Sequence, residues 1–265
     1  AYHSIAEDIF IFTESILSVE KYFLIAVLIM AGAVAFLQIS EEPERQQEQP
    51  QRYVTISFDD GYENHAEAAR MLEDRNMTGS FMVNGANIGG TFENKTVMNE
   101  SQLIDISEEH EIGDHTYDHE NMSALDPGEA GQTIEINTKC LEDLGIQPQV
   151  FRYPYNEAGN RETVNSHYDM AVAGSWAFNN ASSYNRTDIN AVSITENNFG
   201  VLDDHVNRLR EGEWMVITVH SVEENVSREN IDLSREKYRR MLEMIEQENL
   251  DVITFEEAEE LREDG

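Results

Sequence analysis

Two short stretches of the sequence combine residue types that bind metals and transfer protons. Residues 57–61, Ser-Phe-Asp-Asp-Gly, place the carboxylates of Asp59 and Asp60 directly after the apolar run 53–58. In residues 115–119, His-Thr-Tyr-Asp-His, two imidazoles stand four residues apart, the spacing that brings both rings to one face of a helical turn. One aspartate and two histidines complete a three-ligand site with positions left for water and substrate.

Each stretch alone also has an explanation without chemistry. Asp-Asp-Gly is common in turns, and a His-x-x-x-His pair is often two surface or capping histidines. The combination favours a metal site, because both stretches follow apolar runs that predict buried strands. In α/β barrels the carboxyl ends of the strands carry the active site.

Two further polar residues stand at the ends of apolar runs. Arg152 follows Val150 and Phe151, where a buried guanidinium beside a carboxylate would lower the pKa of that carboxylate, although a structural ion pair explains it equally well. His220 ends the run 216–219. A histidine in an apolar run is usually a core residue, but its place at the end of a strand favours proton transfer.

Apolar runs and amphipathic segments alternate from residue 52 onwards, which predicts an α/β fold with a mostly parallel sheet or barrel. The runs predicted as strands are 53–58, 79–83, 111–113, 149–152, 170–174, 215–219 and 251–255. The segments predicted as helices are 65–75, 101–110, 128–144 and 235–248, followed by a short acidic helix at the end of the chain.

The chain is strongly acidic, with 52 Asp and Glu against 18 Lys and Arg and a formal net charge of -34. This charge argues against binding to nucleic acid or to an anionic membrane surface, because its field repels phosphate. We interpret the acidity as adaptation to high salt, and a merely acidic soluble protein is the alternative. Cys140 is the only cysteine, so no intrachain disulfide forms.

The sequence before the catalytic domain divides into three parts. Residues 1–21 predict an amphipathic tail, and residues 22–39 form an uncharged apolar segment about as long as a short membrane span. Residues 40–51 contain no apolar side chain and read as a polar linker to a domain at 52–265. We expect a membrane anchor with the domain outside the cytoplasm; secretion after cleavage of a signal sequence, or a buried helix, is the alternative.

Asn-X-Ser/Thr sequons give weak support to a location outside the cytoplasm. They begin at Asn76, Asn94, Asn99, Asn121, Asn180, Asn185 and Asn225.

Taken in order, five motifs resemble the polysaccharide deacetylase family, which is carbohydrate esterase family 4 with its NodB-homology domain. They are SFDDG, IGDHTYDH, FRYPYNEAGN, Trp176 and ITVHS, and the resemblance covers about residues 52–262. It implies a distorted (β/α)7 barrel, here preceded by the single N-terminal hydrophobic helix. It also implies removal of N- or O-acetyl groups from sugars with one divalent metal ion, zinc by preference, with cobalt, manganese or nickel as alternatives.

The resemblance assigns roles around the metal. Asp60, His115 and His119 match the metal ligands. Asp59 matches the general base that activates the attacking water, and Arg152 matches the arginine that orients this base.

The remaining roles concern the acetyl group and the leaving group. His220 matches the general acid that protonates the leaving amine or hydroxyl. The backbone N–H of Tyr155, after Pro154, matches the donor that holds the oxyanion. Trp176 matches an aromatic wall of the sugar or acetyl pocket.

Two departures from the family pattern affect the acid. Residues 176–180, Trp-Ala-Phe-Asn-Asn, lack the aspartate that commonly holds the acid histidine, and Ser221 follows His220 where the family often has aspartate. Asparagine stabilises an imidazolium less than aspartate does, so we expect either a lower pKa for His220 or another carboxylate partner, such as Asp188.

The leading hypothesis is therefore a metal-dependent hydrolase that deacetylates a polysaccharide or cell-envelope glycan. Its predicted partners are the acetylated glycan and, through the N-terminal helix, a membrane, with no nucleic acid; the sequence does not indicate an oligomeric state. A hydrolase of small cyclic or linear amides is a second possibility. A carbohydrate-binding module that has lost turnover is a third, supported only by the missing aspartate.

Overall fold

A computed structural model describes residues 51–264, in which a curved, mostly parallel sheet carries helices on its outer face. The strands are β1 (Tyr53–Phe58), β2 (Ser80–Val83), β3 (Thr91–Phe92), β4 (Lys95–Thr96), β5 (Glu111–Asp114), β6 (Val150–Arg152), β7 (Met170–Val172), β8 (Asn179–Asn180), β9 (Val192–Ser193), β10 (Glu213–Val219), β11 (Val222–Glu223), β12 (Leu233–Ser234) and β13 (Asp251–Val252).

Seven α-helices alternate with these strands in the described part of the chain. They are α1 (His65–Glu73), α2 (Glu100–Ser107), α3 (Pro127–Glu142), α4 (Arg161–His167), α5 (Val201–Arg208), α6 (Arg235–Gln247) and α7 (Phe255–Asp264). The start of α3 shows why such a helix begins where it does. Proline occupies its first turn, and the Asp126 carboxylate accepts hydrogen bonds from the backbone N–H groups of Gly128 and Glu129.

Six parallel strands form the body of the sheet in the order β7-β6-β5-β2-β1-β10, and β13 also pairs with β1. Residues 189–193 lie between the two outer strands. The N–H of Ala173, after β7, donates to the carbonyl of Ile189 at 2.9 Å, while β9 pairs with β10. The predicted α/β class is confirmed as a half-barrel sheet. The segment 189–193 takes part in this sheet, although the sequence predicted no strand there.

The last predicted strand, 251–255, is wrong beyond Val252, because Phe255 already begins helix α7. The Glu111 carboxylate accepts hydrogen bonds from the N–H groups of Phe255 and Glu256, both at 3.0 Å. The first backbone N–H groups of a helix have no acceptor within the helix, and here the Glu111 carboxylate is their acceptor.

The predicted tail (1–21), the apolar segment (22–39) and the linker (40–51, except Gln51) lie outside the described residues, so these assignments stay predictions. In the range 51–264 no helix is both long enough and apolar enough to cross a bilayer.

Strand β1 is buried at every position, because it has neighbours on both sides and is covered on both faces. Val54, Ile56 and Phe58 belong to the apolar cluster formed with the helices. On the opposite face, Thr55 Oγ1 donates to the carbonyl of Ile253 at 2.6 Å and accepts from Trp214 Nε1 at 2.9 Å. This hydroxyl therefore links β1 to β10 and to the end of β13.

Thr55→Val keeps the shape of the side chain but removes the hydroxyl. The variant leaves the indole N–H of Trp214 and the carbonyl of Ile253 buried without this partner. We expect the free energy of unfolding to fall by about 1–3 kcal/mol, measured by urea denaturation. Thr91→Val, at an exposed strand position, is the control. Equal stability of both variants with the wild type would contradict the assigned role of Thr55.

Candidate metal centre and active site

The side chains predicted to do chemistry meet at one edge of the sheet. Asp59 follows β1, His115 follows β5, Arg152 ends β6 and His220 follows β10. These strands are parallel, so their carboxyl ends lie together. The backbone N–H of Asp59 donates to the carbonyl of Val219 at 3.0 Å, which extends the ladder up to the site.

The chain turns sharply after β1. Asp60 and Gly61 both have left-handed backbone conformations, with φ of 77° and 68°. Glycine adopts this region without steric cost, and aspartate tolerates it better than most residues. A Cβ at position 61 would be strained by this conformation rather than by crowding, since the nearest atom, on Val83, would lie 3.6 Å away.

The two histidines of residues 115–119 lie on an irregular loop, so the helical turn expected from their spacing is wrong. Thr116 and His119 have left-handed φ of 65° and 56°. The loop is held by its own side chains, as Asp114 Oδ1 accepts from the N–H of Thr116 at 2.8 Å and Thr116 Oγ1 accepts from the N–H of Glu120 at 2.9 Å. The imidazoles of His115 and His119 nevertheless meet, with ring centroids 4.9 Å apart.

Asp60, His115 and His119 form a compact group of ligand atoms. Asp60 Oδ1 lies 3.7 Å from Nε2 of His115 and 3.5 Å from Nε2 of His119, and one ligand atom from each residue lies within 4.8 Å of the others. His115 Nδ1 donates to the carbonyl of Arg152 at 2.8 Å, which leaves Nε2 as the unprotonated nitrogen that faces Asp60. His119 lies between aromatic rings, at 5.2 Å from Phe92 and 4.5 Å from Tyr155.

The electrostatics of this group fit a divalent cation. Burial, followed by the nearby charges of Asp59 and Glu93, raises the pKa of Asp60 well above its usual value. Asp60 Oδ1 is buried and has no hydrogen-bond partner among the described residues. Burial lowers the pKa of His115 to about 3, so its imidazole is neutral, as a metal ligand must be. A cation bound here would neutralise the aspartate and occupy the imidazole lone pairs.

Asp59 is placed to act as a base beside this group. Its Oδ2 accepts from Arg152 Nε at 3.2 Å and lies 4.0 Å from Nε2 of both His115 and His220. Burial acts to raise the pKa of Asp59, but Arg152, His115 and His220 outweigh it and lower the pKa to about 2. The carboxylate is therefore ionised at any ordinary working pH.

The guanidinium of Arg152 is fixed on all sides. Its Nη1 donates to the carbonyls of Val172 at 3.3 Å and Ala173 at 2.8 Å, and its Nη2 donates to the side-chain oxygen of Asn156. Asn156 was not singled out from the sequence. It follows Pro154-Tyr155 in a quoted motif, but an asparagine in a turn carries no further signal.

The structure corrects the expected partners of His220. Asn179 uses its amide on the backbone of Asn190, and Asp188 pairs with Arg161 at 3.1 Å. Neither reaches His220, whose Nδ1 is buried without a hydrogen-bond partner in residues 51–264. Burial lowers the pKa of His220. Asn179 stands next to Trp214 on β10, far along the strand from its carboxyl end, and therefore has a structural role.

His65 is a residue of the site that sequence reasoning missed. Its Nε2 carries the proton, because it bonds to the carbonyl oxygen of His220 at 2.6 Å and a carbonyl can only accept. The ring is fully buried against Phe58 and Phe81. Burial lowers its pKa to about 4, so it stays neutral and fixes the backbone that carries the predicted acid.

A cleft of about 140 Å³ opens above these groups. It is lined by Asp59, Asp60, Phe92, Glu93, His115, His119, Tyr155, Asn156, His220 and Ile231. Phe92 and Glu93 come from the short hairpin of β3 and β4, and Ile231 comes from a loop; neither segment has a pattern in the sequence.

The three residues predicted to contact substrate are placed differently. Tyr155 lines the cleft, is 57% exposed and has a left-handed φ of 60°, a strained conformation for tyrosine. Pro154 is buried at the start of the same turn. Trp176 is also 57% exposed, but its ring lies against His205 at 5.6 Å and is not part of the cleft lining.

Comparison with known proteins agrees with this geometry. Residues 46–174 match the family described as polysaccharide deacetylase. A chitin deacetylase of Pestalotiopsis sp is 29% identical over 102 residues, which are 38% of this chain and 33% of that protein. The chain thus spans about a third of the length of this curated relative.

Solved structures of low sequence identity share the fold. A variant of the peptidoglycan deacetylase PdaC from Bacillus subtilis has a TM-score of 0.57 at 18% identity, over 82% of this chain and 94% of that one. The Xyl-CE4 domain of a multidomain xylanase, from the hindgut metagenome of Trinervitermes trinervoides, has a TM-score of 0.55 at 16% identity, over 79% and 90%. The match over residues 46–174 agrees with the resemblance of the motifs to the polysaccharide deacetylase family.

Asp60→Asn separates the effect of the buried charge from that of the metal. In metal-free protein the substitution removes a buried carboxylate that has no cation beside it, so we expect a melting temperature equal to or above that of the wild type. Added Zn²⁺ should raise the melting temperature of the wild type and have little effect on the variant. If Zn²⁺ raised the melting temperature of the variant as much as that of the wild type, Asp60 would not be a metal ligand.

His65 predicts a specific loss of stability in acid. The unfolded imidazole binds a proton below about pH 6.5, while the folded one binds it only below about pH 4, so the free energy of unfolding falls as pH drops through this window. The full effect is about 3 kcal/mol. His65→Gln keeps an N–H donor for His220 but does not titrate. Denaturant unfolding from pH 7 to pH 4 should show a shallower decline for this variant, and parallel curves would refute the prediction.

Proposed function

We propose that this protein is a metal-dependent hydrolase that removes acetyl groups, N- or O-linked, from a polysaccharide or cell-envelope glycan. The observation that carries the proposal is the meeting of the Asp60, His115 and His119 ligand group with the ionised Asp59 in one cleft. The match of residues 46–174 to the polysaccharide deacetylase family supports the reaction class. The predicted location outside the cytoplasm, on a membrane anchor, is part of the proposal and rests on the sequence alone.

In this proposal Asp60, His115 and His119 would hold a divalent ion, zinc by preference; when bound, it would lower the pKa of water and polarise the acetyl carbonyl. Asp59 is the ionised group nearest to these ligands and takes the proton of the attacking water. Arg152 fixes the Asp59 carboxylate through Nε, and its own position is set by the carbonyls of Val172 and Ala173.

His220 supplies a proton to the leaving amine or hydroxyl. Its Nε2 lies 4.0 Å from Asp59 Oδ2, so the proton taken by the base is close to the group that must deliver one. The lowered pKa of His220, a result of burial, makes its protonated form a stronger acid. The left-handed turn at Tyr155 supports our assignment of its backbone N–H to the developing oxyanion.

Acetate release from N-acetylated and O-acetylated oligosaccharides tests the proposal. Zn²⁺-loaded protein in buffer of high ionic strength should release acetate from at least one of these substrates, and His115→Ala should release none. If the loaded wild type releases no acetate and is indistinguishable from His115→Ala across both substrate types, the proposed function is wrong.

Asp59→Asn and His119→Ala should both lose deacetylase activity, but for different reasons. The first removes a base and should lower kcat by about 10²–10⁴-fold while zinc affinity, measured by competition with a chelator, changes little. The second removes a ligand and should lower zinc affinity by itself. Loss of zinc affinity in Asp59→Asn as large as in His119→Ala would make Asp59 a ligand rather than the base.

A further inference from the structure

The hairpin of β3 and β4 places a carboxylate at the rim of the cleft. Glu93 lies at the hairpin turn with a left-handed φ of 46°, and its side chain is 46% exposed. Asp59 and Asp60, by contrast, are 2% and 3% exposed. Among the acidic residues that line the cleft, Glu93 is therefore the one that solvent and an arriving substrate can reach.

Contacts with the neighbouring loop hold this hairpin in place. Arg228 bonds to Glu93, donates to the buried Asp232 at 2.9 Å and lies 3.4 Å from the hydroxyl of Tyr62. Lys95, on β4, lies 3.2 Å from the other oxygen of Asp232 and also bonds to Glu223. Three carboxylates thus share two cations, so this rim keeps a net negative charge.

The residues that line the cleft are also acidic rather than basic. Its lining contains Asp59, Asp60 and Glu93 but no lysine or arginine. The charge of Glu93 reaches the predicted acid: burial lowers the pKa of His220, and Glu93 is one of the groups that act in the opposite direction. Next to the divalent cation that Asp60, His115 and His119 would hold, Glu93 adds one negative charge. This charge favours a leaving group that becomes positive over one that stays neutral.

We propose that Glu93 is a specificity-determining residue that makes N-acetylated amino sugars better substrates than O-acetylated sugars. The inference rests on the proposed deacetylase function and narrows its substrate class.

The two hydrolyses differ in the charge of their products. In both, water forms a bond to the acetyl carbon and acetate leaves. With an amide, the nitrogen takes a proton from the acid while it is still bonded to the acetyl carbon, so it carries positive charge as the C–N bond breaks. The amine that leaves then takes a second proton from solvent to become an ammonium ion. With an ester the C–O bond breaks, and the alcohol takes one proton and stays neutral. A carboxylate at the rim stabilises the positively charged nitrogen of amide hydrolysis but not the neutral alcohol of ester hydrolysis.

Glu93→Gln tests this directly. Glutamine keeps the size of the side chain and an oxygen that Arg228 can bond, but it removes the charge. We measure kcat/KM for acetate release from an N-acetylglucosamine oligomer and from an O-acetylated xylose oligomer with Zn²⁺-loaded full chain. The amide-to-ester ratio should fall by about three- to tenfold in the variant, which corresponds to an electrostatic contribution of ordinary size at a half-exposed site.

Glu67→Gln is the matched control. Glu67 is 42% exposed and bonds to an arginine, Arg235, as Glu93 bonds to Arg228, but it lies outside the cleft lining. Its substitution should leave the ratio unchanged. The effect of Glu93→Gln should also shrink in molar salt, which screens a half-exposed charge.

Binding of the product gives a second readout that does not depend on turnover. A fully deacetylated glucosamine oligomer should bind Glu93→Gln more weakly than wild type in calorimetry, and Glu67→Gln as tightly as wild type. Acetate release from both substrates with the same ratio in wild type and Glu93→Gln would overturn this inference and leave the deacetylase function standing. Release from neither substrate would overturn both.

Discussion

The pair of Asp59 and Arg152 is the interaction on which the rest of the site depends. Both side chains are almost completely buried, at 2% and 1% exposure, and a buried charge is tolerated only when it is paired and hydrogen-bonded. Arg152 satisfies this requirement with the carboxylate of Asp59, two backbone carbonyls and Asn156. Its own carbonyl accepts from His115, so the residue that orients the base also orients a predicted ligand.

Asp60, unlike Asp59, is a buried carboxylate whose charge is not offset by a hydrogen bond from any arginine that the structure describes. It stands next to an ionised aspartate and is buried, and its Oδ1 makes no hydrogen bond within residues 51–264. The two adjacent carboxylates are therefore in different environments: Asp59 is paired with an arginine, while Asp60 faces two imidazoles and forms no salt bridge with a lysine or arginine among the described residues. This difference supports separate roles for them as base and ligand.

The elements of the sheet are predictable because burial on both faces leaves an unbroken apolar run. Strand β1 begins and ends at the residues that the run 53–58 indicates, and the helix at 235–248 differs by one residue from α6. Parallel strands then bring their polar carboxyl ends together without further information, which is why Asp59, Arg152 and His220 meet.

Other parts of the site depend on contacts that leave no periodic signal. The loop of His115 and His119 is shaped by side chains that bond to its own backbone, so helical spacing there predicts the wrong geometry. His65 begins a helix and bonds to the carbonyl of His220, just after the distant strand β10. Glu93 becomes part of the cleft only because Arg228 and Lys95 tie its hairpin to a loop more than a hundred residues further along the chain.

The central claim is that Asp60, His115 and His119 bind one divalent metal ion. X-ray absorption spectroscopy of the zinc-loaded full chain tests it most directly, with metal content measured on the same sample. The account predicts one zinc per chain with two imidazole nitrogens and a carboxylate oxygen among its ligands, and loss of one imidazole in His119→Ala. A zinc shell without histidine, or one that His115→Ala and His119→Ala leave unchanged, would contradict it.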